Sequence, residues 1–262
     1  MGEVVPGAGR RARPRVSLTG AAAISHRRAI RVYPRWAVAG GRRPGKMAPQ
    51  REERDRLRDA LIALCFERGF RNVELWALFE RAGLDRAVFD RHFADLEDCF
   101  FAVFEAEVDR YRCEYAPARE EFADWRERVR VTLYALFRFL AADRRRARFV
   151  VVDSQVAGER TRLLSGQLIE ALFDLIDEGR RELPDPDALS RTTAEAVGGG
   201  ILNQVYAAVA RPIPLPPERE LVPELMYCAV LPYCGLEAAL EELYISPPPL
   251  ASKRGLLGAR RG

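Results

Sequence analysis

The 262-residue chain contains few of the side chains that bind metals or act as nucleophiles. Its two histidines, His26 and His92, are far apart in sequence, and its cysteines include no C-x-x-C pair. This excludes a histidine-rich zinc site and gives little support to a catalytic Cys/His pair. Because five is an odd number and the cysteines stand among apolar residues, we expect buried, reduced thiols rather than a disulfide framework. The cysteines are Cys65, Cys99, Cys113, Cys228 and Cys234.

Long apolar runs and nucleotide-binding motifs are also absent from the sequence. No uninterrupted apolar stretch approaches the ~20 residues needed to cross a bilayer. There is no G-x-x-x-x-G-K-[ST], no G-x-G-x-x-G after a strand and no G-x-S-x-G. We therefore expect a cytoplasmic protein that is not an enzyme, with no catalytic residues, no metal, no cofactor and no membrane partner.

Acidic residues are scarce only at the N-terminal end of the chain. The formal net charge is +4, but residues 1–50 hold eleven basic side chains against one acid, whereas residues 51–262 hold 31 against 37. Residues 1–50 show no helical or strand period, which predicts a disordered, Arg-rich extension. The extension could be a transit peptide, a weak signal sequence, a basic tail for DNA phosphates, or an upstream stretch before a start at Met47.

From residue 51 the pattern changes to short amphipathic helices, in which apolar residues recur every three or four positions among charges. Gly69 and Gly83 are typical of helix C-termini, and they predict the ends of the first and second helices. Asn72 is predicted to cap the second helix, and Asp85 the third. Two short helices joined by a glycine-containing turn predict a helix-turn-helix motif at about residues 74–93.

The residues of this region resemble the DNA-binding domain of TetR-type (TetR/AcrR-like) transcriptional regulators. The resemblance is carried by residues 63–70 (ALCFERGF), 79–84 (FERAGL), 89–93 (FDRHF) and the acidic start of the next helix at 95–100 (DLEDCF). It implies a DNA-binding head at residues 51–111, whose third helix enters the major groove. The resemblance places these residues at the DNA: Arg51, Arg54, Arg86, Ala87, Val88, Asp90, Arg91 and His92.

Several of these positions have alternative interpretations. Arg86 and Arg91 are the strongest candidates for contacts to guanine or phosphate, because a guanidinium can form paired hydrogen bonds with either. His92 either lies near the DNA backbone or is half-buried, and Val88 either touches a thymine methyl group or belongs to the core. Asp90 replaces the tyrosine with which the family commonly reaches a phosphate, and a carboxylate there is repulsive. The predicted head is also acidic, with ten basic against fifteen acidic side chains between residues 47 and 111.

The rest of the chain predicts helices as well, so that the fold class is all-α. Apolar stripes at helical spacing run through residues 112–245, which we call the body, and residues 246–262 are predicted to be a disordered tail. Pro232 and Gly235 predict a break in the last helix. The glycines at 198–200 indicate either a close approach of another backbone or a helix break.

The resemblance further implies a small-molecule effector bound in the body and a homodimer formed through the last two long helices. Polar side chains within the apolar stripes are candidates for the effector pocket, although each could equally be a core polar group. These candidates are Tyr134, Arg138, Gln155, Asn203 and Tyr206.

The leading functional hypothesis is a ligand-responsive repressor that binds a palindromic operator as a homodimer. The alternative is a TetR-like helical dimer that has lost specific DNA reading and acts as a small-molecule-binding or protein-interaction module. The acidic head and Asp90 favour this alternative, whereas the order and spacing of the helix-turn-helix residues favour the first.

Overall fold

A computed structural model of the chain describes residues 48–115 and 122–248. These residues form helices and short 3₁₀ turns and contain no strand, which confirms the predicted all-α class. Residues 1–47 of the predicted extension and the end of the predicted tail lie outside the described residues, whereas residues 48–50, predicted as part of the disordered extension, form the start of α1. The helices are α1 (Ala48–Arg68), α2 (Leu75–Ala82), α3 (Arg86–Asp90), α4 (Leu96–Glu114), α5 (Trp125–Ala142), α6 (Arg144–Val151), α7 (Glu159–Asp177), α8 (Arg191–Ala210) and α9 (Glu218–Glu242).

The helices of the head end and begin where local chemistry predicts. Gly69, with φ of 76°, ends α1, and Gly83, in the left-handed conformation, ends α2. Asp85 caps α3 by accepting a hydrogen bond from the Val88 amide at 2.9 Å. The predicted cap at Asn72 is wrong. This residue lies in a 3₁₀ turn before α2, and its side-chain amide donates to the carbonyl of Arg68 at 2.8 Å, at the end of α1.

The body has its own apolar core, formed mainly by α5, α8 and α9, with Leu175 and Ile176 of α7 and Ala147 of α6. Trp125 at the start of α5 is buried, and its indole N–H donates to the carbonyl of Leu175 at 2.7 Å. Its ring packs edge-on against Tyr233 of α9, with 5.3 Å between the ring centroids. This arrangement fixes the start of α5 against the end of α7 and the middle of α9.

Helix α4 connects the head to the body, and it extends past the predicted boundary at residue 111 to Glu114. Phe100 of α4 stacks on Phe149 of α6 at 4.1 Å, and the ring of Phe70 contacts Phe100 edge-on at 4.6 Å. A buried carboxylate adds a polar contact, because Asp153 accepts a hydrogen bond from the Phe70 amide at 2.9 Å. The turn between α1 and α2 therefore rests directly on the body.

Glycine positions explain two features of the last helices. Gly235, with φ of 81°, interrupts α9 and confirms the predicted break. Helix α8 is continuous through residues 198–200, so the helix-break alternative is wrong. Gly198 is buried against Phe173 of α7, since a Cβ atom there would lie 2.4 Å from the Phe173 ring. Gly199 and Gly200 are exposed, and a Cβ atom on either would meet nothing in the described part of the chain within 4 Å.

The five cysteines are free, but only part of the prediction of buried thiols is correct. Cys65 and Cys99 are buried in the head core, whereas Cys113 and Cys228 are exposed because they lie on the outer sides of α4 and α9. Among the described helices, none has the length and hydropathy required to span a membrane.

Candidate DNA-binding interface

Helix α3 is held by its buried side and exposes the opposite one. Phe89 is buried and packs against Phe79 of α2 and against Phe93, with centroid distances of 5.5 and 5.6 Å. With the N-terminus capped by Asp85, these contacts fix both the position and the rotation of the helix. The exposed side carries four of the predicted DNA-contacting residues: Arg86, Ala87, Asp90 and Arg91.

Two of these residues form an ion pair with each other. The Nε atom of Arg86 lies 3.3 Å from an Asp90 carboxylate oxygen, one helical turn away, and both side chains are largely exposed. The carboxylate that departs from the family pattern therefore balances the charge of the neighbouring arginine. The exposed side of α3 gains no net attraction for phosphate from this pair.

Glu53 of α1 connects the end of α3 to the first helix. One oxygen of its carboxylate lies 3.1 Å from the Arg91 guanidinium. The other oxygen is hydrogen-bonded to the His92 Nε2 atom at 2.8 Å. The hydrogen bond with His92 lowers the pKa of Glu53, and the charge of Arg91 acts in the same direction. The His92 side chain is only 7% exposed, so its half-buried interpretation fits this single chain better than a position on the DNA backbone.

The two predicted arginines of α1 are placed differently. Arg51 is exposed at the first turns of the helix. The guanidinium of Arg54 lies over the Phe93 ring at 5.6 Å, a cation–π distance, so it also supports the packing of the head. Val88 is half-buried, which fits both of its predicted roles, contact with a thymine methyl group and packing in the core.

Sequence reasoning missed Glu53 and Trp76, and it treated Arg56 only as one of a cluster of arginines on the first helix. Arg56 donates to the carbonyl of Gly83 at 2.8 Å and thereby attaches α1 to the turn between α2 and α3. Trp76 of α2 is 58% exposed, and its indole N–H donates to the Glu74 carboxylate. The contacts of Glu53 and Arg56 span 27 or more positions in sequence, so no local pattern could indicate them.

In the body, two of the candidate pocket residues lie together. Tyr134 is buried, its hydroxyl has no hydrogen-bond partner among the described residues, and burial raises the pKa of this group. The Arg138 guanidinium lies 5.4 Å from the Tyr134 ring centroid and 3.6 Å from a carboxylate oxygen of Glu218, and it donates to the carbonyl of Pro248 at 2.9 Å.

The remaining pocket candidates do not lie beside Tyr134 and Arg138. Gln155 is exposed in the 3₁₀ turn after α6, and Asn203 and Tyr206 are exposed on the outer side of α8. Tyr233, which sequence reasoning did not select, is more similar to Tyr134: its buried hydroxyl lacks a partner, and burial, together with the charge of Asp177, raises its pKa to about 12.

Comparison with known proteins identifies relatives of the same architecture. No protein-family model matches the chain. It is 29% identical over 143 residues to the HTH-type transcriptional activator FasR of Mycolicibacterium smegmatis; the match covers 53% of this chain and 65% of FasR, about two thirds of that relative's length.

Solved structures extend the similarity over most of the described chain. The transcriptional regulator FadR from Bacillus subtilis, in complex with stearoyl-CoA, is 17% identical with a TM-score of 0.54, and the match covers 69% of this chain and 98% of that one. A Syntrophomonas wolfei chain described as a TetR-family transcriptional regulator is 13% identical with a TM-score of 0.53, covering 71% and 97%. The chain therefore has the fold of the TetR-family transcriptional regulators, as the resemblance of its helix-turn-helix residues predicted.

Proposed function

We propose that the protein is a DNA-binding transcriptional regulator of the cytoplasm, a ligand-responsive repressor rather than an enzyme. The observation that carries this proposal is helix α3, which is capped by Asp85, anchored by Phe89 and exposed along the side that bears Arg86 and Arg91. An α-helix with one exposed polar side fits the major groove of B-DNA, and two copies in a dimer read two half-sites of a palindrome.

A mobility-shift titration tests this function. The full chain is titrated against DNA from immediately upstream of its own gene, at several salt concentrations, with a scrambled fragment of the same length as control. We expect a discrete complex with the upstream fragment and weaker binding as salt increases. The absence of any discrete complex at low salt would contradict the regulator function. Because FasR is described as an activator, a promoter-reporter assay then decides between repression and activation.

Two copies of the chain associate, in this proposal, through α8 and α9. The outer side of α8 presents small residues, Ala196, Gly199 and Gly200, which allow another helix to approach closely, and α9 presents the exposed Cys228 and Leu231 beside it in the proposed interface. The glycines destabilise an isolated helix by roughly 1 kcal/mol each relative to alanine, and helix–helix contact in a dimer offsets that cost.

The dimer proposal is tested by a substitution that is harmless to the single chain. Gly199→Arg places a long charged side chain where no described residue of the same chain lies within 4 Å of the Cβ position. We expect the variant to keep its helical circular dichroism but to elute as a monomer, with its mass measured by light scattering. Gly166→Arg on α7 is the matched control, because its Cβ position is equally open, and it should remain dimeric. A dimeric Gly199→Arg protein would refute this interface.

For the effector, we propose a site at Tyr134 and Arg138 in the body. The buried Tyr134 hydroxyl without a partner supports this choice, since such groups normally find one. The FadR structure holds stearoyl-CoA, so an acyl-CoA thioester is the first ligand to test. We expect stearoyl-CoA to raise the melting temperature of the protein more than free CoA does, and Tyr134→Phe to reduce the difference. Equal effects of the two compounds would exclude the acyl-CoA assignment.

One observation favours the second function, a helical dimer without DNA reading. The arginines on and beside α3 are paired with carboxylates of the same chain, Arg86 with Asp90 and Arg91 with Glu53. Charge neutralisation of this kind weakens the attraction to DNA phosphates. A protein that is dimeric and binds an acyl-CoA but forms no complex with any DNA at low salt would establish this alternative.

A further inference from the structure

The exposed side of α3 carries a matched donor and acceptor rather than a patch of positive charge. Arg86 and Asp90 lie one helical turn apart and are joined by a single contact of 3.3 Å between Nε and a carboxylate oxygen. Their side chains are 76% and 52% exposed. An exposed pair of this kind contributes about 0–1 kcal/mol to stability, so the chain retains both side chains for contacts outside the molecule at little energetic cost.

Phosphate is a poor target for this pair, because the Asp90 carboxylate repels it. A base pair in the major groove offers better chemistry. Guanine presents two neighbouring acceptors, O6 and N7, which match the guanidinium donors, and its cytosine partner presents the N4 amino donor, which matches a carboxylate. An A·T pair places the adenine N6 donor between the adenine N7 and thymine O4 acceptors, so it offers no two adjacent acceptors to an arginine.

We propose that Arg86 and Asp90 together read a G·C base pair in each half-site, with Asp90 accepting a hydrogen bond from cytosine N4. The inference rests on the proposed function, in which α3 enters the major groove. In this arrangement Asp90 determines specificity and also orients the Arg86 guanidinium toward guanine.

The surroundings of α3 give the pair the fixed position that base reading requires. Asp85 caps the helix, Phe89 anchors its buried side, and Glu53 holds Arg91 at its C-terminal end. Contacts of this kind hold a recognition group in place before the ligand arrives. Arg91 is already bound to α1, so Arg86 and Asp90 are the charged side chains of α3 that remain directed away from the rest of the head.

The test is selection of binding sites from random double-stranded DNA with three proteins: the full chain, Asp90→Ala and Glu80→Ala. Glu80 is the matched control, since it is an exposed carboxylate of the neighbouring helix α2, and its removal changes the head charge by the same amount. We expect the full chain and Glu80→Ala to select a G·C pair at one position of each half-site. Asp90→Ala should still bind but should lose roughly ten- to hundredfold of the discrimination at that position.

An atomic version of the test replaces that cytosine with pyrimidin-2-one, which lacks the N4 amino group. The full chain and Glu80→Ala should bind the modified site more weakly than the natural site, whereas Asp90→Ala should show a clearly smaller loss. If Asp90→Ala keeps the same base preference, or changes affinity for all sequences by one common factor, then Asp90 reads no base and the inference is overturned. If the full chain enriches no sequence, the regulator function itself fails, and the base reading fails with it.

Discussion

At Gly179 the packing of the body is sensitive to a single added atom. It lies in the 3₁₀ turn after α7, and a Cβ atom there would lie 2.5 Å from Cζ2 of Trp125 and 2.8 Å from Cδ2 of Tyr233. Carbon atoms in contact prefer about 3.5–4.0 Å, so both rings must move away from the added atom, by roughly 1 Å. Neither ring moves easily, because both are buried and Trp125 is hydrogen-bonded to the carbonyl of Leu175.

The expected cost of Gly179→Ala follows from this geometry. Overpacking of a well-filled core destabilises a protein by about 1–3 kcal/mol. The φ angle of Gly179 is not positive, so alanine adopts the backbone conformation without strain. Because alanine has less conformational freedom than glycine in the unfolded chain, the substitution also stabilises the folded state by about 0.4–1 kcal/mol. We expect a net loss of about 1–2 kcal/mol in the free energy of unfolding. For a folded region of this size, that corresponds to a melting temperature lower by roughly 2–8 °C.

The assay is thermal unfolding followed by circular dichroism, with wild type and variants at one protein concentration, because the proposed dimerisation would make the melting temperature depend on it. Gly166→Ala is the control: it lies within α7, and its Cβ atom would meet nothing within 4 Å. That substitution should raise stability by about 0.5–1 kcal/mol through helix propensity. A Gly179→Ala protein that melts at or above wild type would refute the close packing described for Trp125 and Tyr233.

Two further predictions concern groups at the head–body contact and the thiols. Burial raises the pKa of Asp153, so its contribution to stability is present at low pH and is lost as pH rises through that raised pKa. The Asp153→Asn variant keeps a side-chain acceptor for the Phe70 amide but has no carboxyl group to ionise. Between about pH 4 and pH 7, the unfolding free energy of the variant should therefore increase relative to that of wild type, as measured by urea titration at each pH. A difference that stays constant with pH would contradict this prediction. In native protein treated with iodoacetamide, Cys113 should be alkylated while the buried Cys65, whose pKa is raised by burial, should not. Cys228 should react only in a monomeric variant if α9 forms the dimer interface, and its labelling in the native dimer would argue against that interface.

Much of the head was predictable because its helix ends depend on neighbouring residues. Gly69, Gly83 and Asp85 act through backbone conformation and a hydrogen bond three residues away, and the structure places all three as expected. The cap at Asn72 was predicted wrongly by the same kind of reasoning. An asparagine between two helices can cap the following one or donate to the end of the preceding one, and only the three-dimensional turn decides which carbonyl or amide is within reach.

The residues of the candidate pocket were harder to predict, although the helical period already indicates that one candidate, Asn203, is exposed. Ile201 and Val205 are buried on α8, and Asn203 is two residues from each of them. At 100° per residue, a position two residues from a buried one lies on nearly the opposite side of the helix. The exposed position of Asn203 thus follows from the sequence once the buried side is known. The unpartnered hydroxyls of Tyr134 and Tyr233 do not, because their surroundings come from segments distant in the chain.

The ion pairs of the head show how little of its positive charge is available to DNA. Several are neutralised within the chain: Arg58 by Asp55, Arg81 by Glu67, Arg86 by Asp90 and Arg91 by Glu53. Each phosphate that a protein neutralises makes the slope of log K against log salt more negative by about 0.9, so a head with paired arginines gains little affinity from counterion release. In the proposed function, the binding free energy of such a head must come mostly from hydrogen bonds that depend on the sequence of the DNA. An acidic head with an Arg–Asp pair on its recognition helix is consistent with a regulator that binds weakly to DNA in general and discriminates strongly among base pairs.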